Sequence, residues 1–231
     1  MSRANFDDLG ELTCCLIPMY NEAKVIGSVV SGLREVFTHV LCVDDGSTDD
    51  SAIQARHAGA VIVQHALNIG QGGAIATGFS IVESLGRFKY IVTFDADGQH
   101  DPSDALALVR HLHNNHLDVV FASRFLSGRE QNVPWTKKVI LKLVTRVTKA
   151  LTNVDLSDAH NGLRALTVDA ARKIQLTQYG MAHASQFVSL VLQNGLNYAE
   201  IPATVRYTPY SRSKGQPIIN SVNIVLDLLW G

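Results

Sequence analysis

The stretch TCCLIPMYNEAKVIGSVVSGLREVFTHVLCVDDGSTDD, residues 13–50, reads as a strand, a helix and a second strand in succession. TCCLIP (13–18) and HVLCVD (39–44) are continuous apolar runs, the pattern of strands covered on both faces, and a helix is expected between them from about Ala23 to Phe37. The alternation continues along the chain. A helix near Asp49 to Ala58 precedes AVIVQ (60–64), one near Gly72 to Leu85 precedes YIVTFD (90–95), and one from Pro102 to His113 precedes DVVFAS (118–123). The succession predicts an α/β fold, a Rossmann-like, mostly parallel sheet with helices on both faces.

In such sheets ligands bind beyond the carboxyl ends of the strands. Four polar clusters directly follow an expected strand: PMYNE, DDGSTDD, DADGQHD and SRFLSG. They are expected to converge on one edge of the sheet. The third strand leads instead into HALNIGQGGA, whose glycines let backbone amides approach a ligand or let a helix pack closely.

The chain has 231 residues, enough for one well-packed α/β domain with a C-terminal appendage. A formal net charge of -1 with 46% hydrophobic residues excludes a basic protein that coats nucleic acid and an acidic disordered one, so no nucleic-acid partner is expected. Cys14, Cys15 and Cys42 lie in apolar runs without metal-ligand spacing, which fits free thiols in a reducing cytosol. MSRANFDDLGE, at the start, holds no apolar core of the kind a signal peptide needs, and secretion by that route is not expected. No apolar run reaches the roughly 18 to 20 residues that span a bilayer.

Asp95, Asp97 and Gln99 alternate along a segment which, if extended, puts three oxygen ligands on one side. Such ligands suit Mg²⁺ or Mn²⁺, which hold one or two carboxylates and complete their shell with water and substrate phosphates. The same cluster also fits a solvated Asp-rich turn. DDGS (44–47) fits a strand-ending turn capped into the next helix by Ser47 or Thr48, and it also offers Asp44 to a base N–H, with Glu22 or Asp95 free to hold nucleoside hydroxyls. GQGG lacks the G-x-G-x-x-G spacing of a dinucleotide site, which disfavours hydride transfer. His111, His113 and His116 fall on an expected helix where only the last two share a face, and a solvated helix surface is the simpler reading.

Taken together, IPMYNEA (17–23), VDDGSTDDS (43–51), NIGQGGAIATG (68–78), DADGQHDP (95–102), ASRF (122–125) and DAHNGLRAL (158–166) resemble the family 2 glycosyltransferases of the GT-A fold. Within that family the chain looks most like the dolichyl-phosphate mannose synthase and polyprenyl-phosphate sugar synthase branch, over about residues 12–216. The resemblance implies a glycosyltransferase domain over 1–216, and the apolar pattern after it is expected to form a C-terminal helix over 217–231. Pro18, Tyr20 and Glu22 would line the nucleoside pocket together with Asp95 and Ala96, with Asp44 and Asp45 at the base. Asp95, Asp97 and Gln99 match the metal and diphosphate motif, so Mg²⁺ or Mn²⁺ is the implied cofactor. Arg124, Arg206, Arg212 and Lys214 would engage phosphates, and Asp158 matches the acidic position on the acceptor side. Asp97, Asp158 and Arg124 are the implied catalytic set. Gln186 stands where many relatives carry a glutamate, which argues against an acid-base role there. No long C-terminal membrane domain of the kind some synthases carry is expected beyond Gly231.

Family 2 enzymes are inverting, so the resemblance implies in-line transfer from a nucleotide-diphosphate sugar to polyprenyl (undecaprenyl or dolichyl) phosphate. A lipid phosphate is already ionised and needs only positioning by cations. A hydroxyl of a lipid-linked saccharide, the alternative acceptor, needs a general base, and Asp158 is the first candidate. An alternative of another class is a non-catalytic nucleotide-sugar-binding subunit of a membrane complex, against which the intact DAD triplet argues. Val139 to Val154 has apolar residues at helical spacing with Lys137, Lys138, Lys142, Arg146 and Lys149 around them. It fits an ordinary surface helix; with the apolar segment Pro217 to Trp230 and the family's placement of interfacial helices, it also fits attachment to a membrane surface. The expected location is peripheral, on the cytoplasmic face of the membrane, with a small membrane protein as a further partner.

Overall fold

β1 (Thr13–Met19) is buried along its whole length and lies between two parallel neighbours, β2 (His39–Asp44) and β4 (Tyr90–Thr93). The computed structural model describes residues 9–126, 156–180, 182–206 and 210. The helix expected over Val139 to Val154, the segment Pro217 to Trp230, Arg212 and Lys214 lie outside the described residues. The other described elements are α1 (Ile26–Arg34), α2 (Ser51–His57), β3 (Val61–Gln64), α3 (Gln71–Leu85), α4 (Pro102–Asn114), β5 (Val119–Ser123), β6 (Arg164–Thr167), α5 (Val168–Lys173), α6 (His183–Gln193) and β7 (Tyr198–Pro202).

The seven described strands run in the order β3-β2-β1-β4-β6-β5-β7. Alternate residues of β1 serve opposite faces, as strand geometry requires. Cys15, Ile17 and Met19 pack with Val30 and Leu33 of α1, Ala55 of α2 and Leu108 of α4. Cys14 and Leu16 pack with Ala74 and Phe79 of α3, Ala171 of α5 and Phe187 of α6. Both faces are therefore covered, which is why the strands read as continuous apolar runs. The three thiols are free and buried, and burial pushes Cys14 up to about 12, so it behaves as a small apolar group.

Helix ends follow local chemistry. α4 starts where expected because Asp101 accepts from the Ser103 amide at 2.9 Å and Pro102 occupies the first turn. α1 is shorter than Ala23–Phe37, because residues 22–25 form a turn on the Glu22 carbonyl and the chain after Arg34 turns back on Gly32 and Leu33. α4 ends before His116, which takes a left-handed φ of 51°, so His113 and His116 do not share a helix face. His113 instead binds the Tyr90 hydroxyl at 2.8 Å.

β6 is antiparallel to both of its neighbours, β4 and β5. An antiparallel strand begins at the edge where its parallel neighbours end. The DAHNG loop that feeds β6 is thereby delivered to the carboxyl edge of β4 and β5, beside the DADGQHD loop and Arg124.

Candidate active site

The segment after β4 is a turn rather than an extended run. Gly98 takes φ +73°, the Gln99 amide N–H donates to Asp97 Oδ1 at 3.0 Å, and the Gln99 side-chain amide meets Asp97 Oδ2 at 2.6 Å. The expectation of three ligands on one side of an extended segment is corrected accordingly: a turn brings Gln99 onto Asp97. Asp95 is held separately, by His100 Nε2 at 3.2 Å and the Gln71 side chain at 3.3 Å.

Burial pushes the Asp97 carboxyl up, and the neighbouring Asp95 carboxylate adds to it. Burial works the same way on Asp95, but the His100 hydrogen bond and the His100 and Arg164 charges outweigh it and hold Asp95 below the usual carboxylate range. Two near carboxylates, one reluctant to ionise, form a place that a divalent cation relieves. Among the described residues no group of three or more His, Cys, Asp and Glu side chains could hold a metal alone. An ion here would draw further ligands from substrate and water, as Mg²⁺ and Mn²⁺ commonly do.

The expected nucleoside-pocket residues are knitted together at the ends of β1 and β2. Pro18 pairs opposite Val43 within the sheet, and Tyr20 is 44% exposed. Glu22 accepts from the Tyr210 hydroxyl at 2.7 Å, and its own amide donates to Ser51 Oγ at 2.7 Å. Ser47 and Thr48 do not cap α2, which begins at Ser51. Ser47 Oγ instead accepts from the Asn21 amide and Thr48 donates to the Asn21 side chain, each at 2.9 Å, so the PMYNE and DDGSTDD loops are zipped to one another.

Asp44 and Asp45 are both buried. Asp44 accepts from the Ser47 amide and from the Gln64 side chain, both at 3.0 Å. Asp45 grips the next loop, accepting from the Ile69 amide at 3.1 Å and the Gly70 amide at 2.8 Å and meeting His65 Nδ1 at 2.8 Å. Ala96 is buried in the core, so only its backbone can meet a ligand. The GQGG glycines serve close packing: the Gly72 amide donates to the Tyr179 carbonyl at 2.9 Å, and a Cβ on Gly72 would collide with Gln178 and His183. Gln186 supports that contact by accepting from the amides of Thr177 and Gln178.

Arg124, partly exposed, and Asp158, buried, form a two-pronged pair. Arg124 Nε and Nη2 reach the two Asp158 oxygens at 2.7 and 2.6 Å, and the Arg124 amide adds a third bond at 3.1 Å. Burial opposes ionisation of Asp158, but the Arg124 hydrogen bonds and charge win and keep its carboxyl below the usual range. Arg206 lies at the rim, pairing with Asp101 at 2.7 Å, and its segment is pinned by the Thr204 amide on Asp104 and the Arg206 amide on the Gln99 carbonyl.

Four residues that do not stand out from the motifs shape the site. Gly162 packs directly against the Asp95 carboxylate, and its carbonyl accepts from Thr93 Oγ1 at 2.7 Å. His100 holds Asp95. Arg164 is fully buried, bonds to the carbonyls of Asn161 and Ala159, and stacks on Phe187 at 4.5 Å, where burial pushes its pKa down to about 10. Glu200 accepts from both the Ser157 and Asp158 amides. A charge inside an apolar strand run, as in LRAL and YAEIP, is the signal that would have found Arg164 and Glu200.

Known proteins resemble the chain in sequence and in fold. The family described as "Glycosyl transferase family 2" matches residues 14–175. A UDP-N-acetylglucosamine–dolichyl-phosphate N-acetylglucosaminyltransferase of Methanococcus voltae is 30% identical, covering 95% of this chain and 95% of that protein. A polyprenol monophosphomannose synthase of Mycolicibacterium smegmatis is 27% identical, covering 95% of this chain and 86% of its own. Among solved structures, glucosyl-3-phosphoglycerate synthase from Mycobacterium tuberculosis in complex with Mn²⁺ and uridine-diphosphate-glucose superposes with a TM-score of 0.70 at 17% identity, covering 99% of this chain and 82% of that one.

Proposed function

The chain belongs to glycosyl transferase family 2 and is a glycosyltransferase; from that premise we propose that it moves a sugar, with inversion, from a nucleoside-diphosphate donor to a polyprenyl phosphate. The observation that carries the reading is the Arg124–Asp158 pair at the same sheet edge as Asp95 and Asp97. A guanidinium can pair with a carboxylate through one edge and meet an oxygen anion through the other, and the acids suit a cation bound to the donor diphosphate. The dolichyl-phosphate acceptor in the name of the Methanococcus voltae relative supports the acceptor class. The differing sugars of the two relatives leave the sugar to experiment.

In this reading Asp95, Asp97 and Gln99 would hold Mg²⁺ or Mn²⁺. Such an ion supplies charge stabilisation for the leaving diphosphate. Glu22, Asp44 and the backbone at Ala96 bound the nucleoside side, and Arg206 brings a cation to the rim, six residues before Arg212 and eight before Lys214. Asp158 is assigned to orienting Arg124 instead of removing a proton. Both of its oxygens are engaged by the guanidinium and its pKa is held low, so it is a weak base at neutral pH. That counts against a hydroxyl acceptor and in favour of a phosphate, which needs no base. Peripheral attachment to the membrane follows from the acceptor; among the described residues no helix is long and apolar enough to cross a membrane.

The test is incubation with a panel of nucleotide sugars and polyprenyl phosphate, followed by mass spectrometry of the lipid fraction. A polyprenyl-phosphate sugar from one donor is the expected product. Transfer only to a lipid-linked saccharide would overturn the acceptor assignment.

A further inference from the structure

Glu200 sits in β7, at one edge of the described sheet, opposite Phe121 of β5. Its carboxylate does not face water alone but spans two consecutive backbone amides. Oε2 accepts from the Ser157 amide at 2.9 Å and the Ser157 hydroxyl at 2.8 Å, and Oε1 accepts from the Asp158 amide at 2.8 Å. The other side of this short segment is held as well, since Ser157 Oγ lies 2.6 Å from Ser123 Oγ, one residue before Arg124. Asp158 leaves that anchored backbone to take three hydrogen bonds from Arg124. A continuous chain of short contacts therefore runs from Glu200, through the 157–158 backbone and the Asp158 carboxylate, to the guanidinium.

We propose that Glu200 is a positioning residue for Arg124, fixing the backbone from which Asp158 aims the guanidinium at phosphate. The proposal rests on the reading that Arg124 receives an acceptor phosphate. The site demands a group that only accepts. Two N–H donors converge on two oxygens, and an ionised carboxylate meets both, whereas a side-chain amide has one oxygen and one NH₂. Whichever way Glu200→Gln turns, an NH₂ faces a backbone N–H, and that amide loses its partner. The fault is local to residues 157–158 and leaves the β5–β7 ladder and the Asp95–Asp97 turn untouched.

The experiment reads Arg124 directly in the substrate-free protein. Phenylglyoxal modification of Arg124 is followed by peptide mass spectrometry, with Arg172, half-exposed on the surface, as the internal reference. Wild type is compared with E200Q, D158N and the double variant. E200Q is expected to raise Arg124 reactivity severalfold at unchanged Arg172 reactivity, D158N to raise it further, and the double variant to match D158N. In turnover, E200Q is expected to raise the KM for polyprenyl phosphate about tenfold, the scale of one lost hydrogen bond to a charged group, while binding of UDP with Mn²⁺ by calorimetry is unchanged. Wild-type Arg124 reactivity in E200Q overturns the proposal, as does a double variant whose effect is the product of the singles. If E200Q loses cooperative folding, E200D, too short to reach both amides, is read in its place with the same expected direction and the same overturning result. Failure of wild type to use polyprenyl phosphate would refute the acceptor reading alone, since the modification rates decide the role of Glu200 without any substrate.

Discussion

Gly162 lies so close to Asp95 that a Cβ at position 162 would overlap both carboxylate oxygens. The contact joins two motifs far apart in sequence, and it exists because antiparallel β6 starts where β4 ends. Position 162 has to lack a side chain for Asp95 to stand where it does.

Gly162→Ala should therefore spare the fold and damage the site. A carboxylate at the end of a rotatable side chain yields more easily than the β6 backbone, so Asp95 swings aside. The variant is expected to melt within about 4 °C of wild type, a change of about 1 kcal/mol or less. Turnover should fall by about 100-fold, the usual scale for a misplacement of an ångström. Thermal melts and kcat together check this; a variant with wild-type kcat would show that the placement of Asp95 is unimportant.

Asp97→Asn separates stability from function. The folded-state pKa of Asp97 is raised, so its ionised form costs stability at neutral pH, a cost that disappears as pH falls and the group is protonated. Removing the charge should leave the metal-free protein as stable as wild type or more so. The same change should nearly abolish turnover. Mn²⁺ with a nucleoside diphosphate should raise the melting temperature of wild type by linkage and leave that of the variant almost still. Undiminished wild-type activity in excess chelator would refute the metal assignment.

The layout of the sheet was legible because β1, β2, β4 and β5 are covered on both faces and so read as apolar runs, and because Asp101–Pro102 announces the start of α4. β6 was hidden inside DAHNGLRAL, where its charged first residue, Arg164, breaks the apolar pattern that marks a strand. Its antiparallel direction depends on pairing with β4 and β5, which no local pattern encodes. The acid pair and Arg124 were legible as residue types in motifs. Their partners were not: Asp158 reads as a base until its oxygens are found on Arg124, and Gly162 and Glu200 act through contacts made only when the strands assemble.

Membrane attachment is predicted from the sequence of residues 139–154, which lie outside the described residues. If that basic, apolar-striped segment lies in the interface, each Lys or Arg near an anionic surface contributes about 1 kcal/mol, and salt weakens the attraction. Replacing Lys138, Lys142, Arg146 and Lys149 with Gln should lower co-sedimentation with anionic vesicles at low salt and leave donor binding unchanged. Equal sedimentation of wild type and variant would assign those charges to an ordinary solvated surface.

His160 gives the protein an acid-sensitive point. Its ring lies in the DAHNG loop with Nε2 3.3 Å from Ser185 Oγ, and burial together with the Arg164 charge pushes its pKa down to about 4. An unfolded chain would protonate the same ring near its ordinary value of 6.5. Between those two values the unfolded state binds the extra proton and the folded state does not, so stability must fall as pH drops through that window. At about 1.4 kcal/mol per unit, the full difference is worth about 3 kcal/mol. The Asp158 charge opposes that shift without overcoming it, and Asp158 itself is held ionised by Arg124. Replacing His160 with Gln keeps a polar partner for Ser185 and removes the titrating group. Urea melts at pH 7 and pH 5 should show wild type losing stability between the two and His160→Gln losing clearly less. Equal losses in both proteins would mean that the ring accepts a proton in the folded state as readily as in the unfolded one.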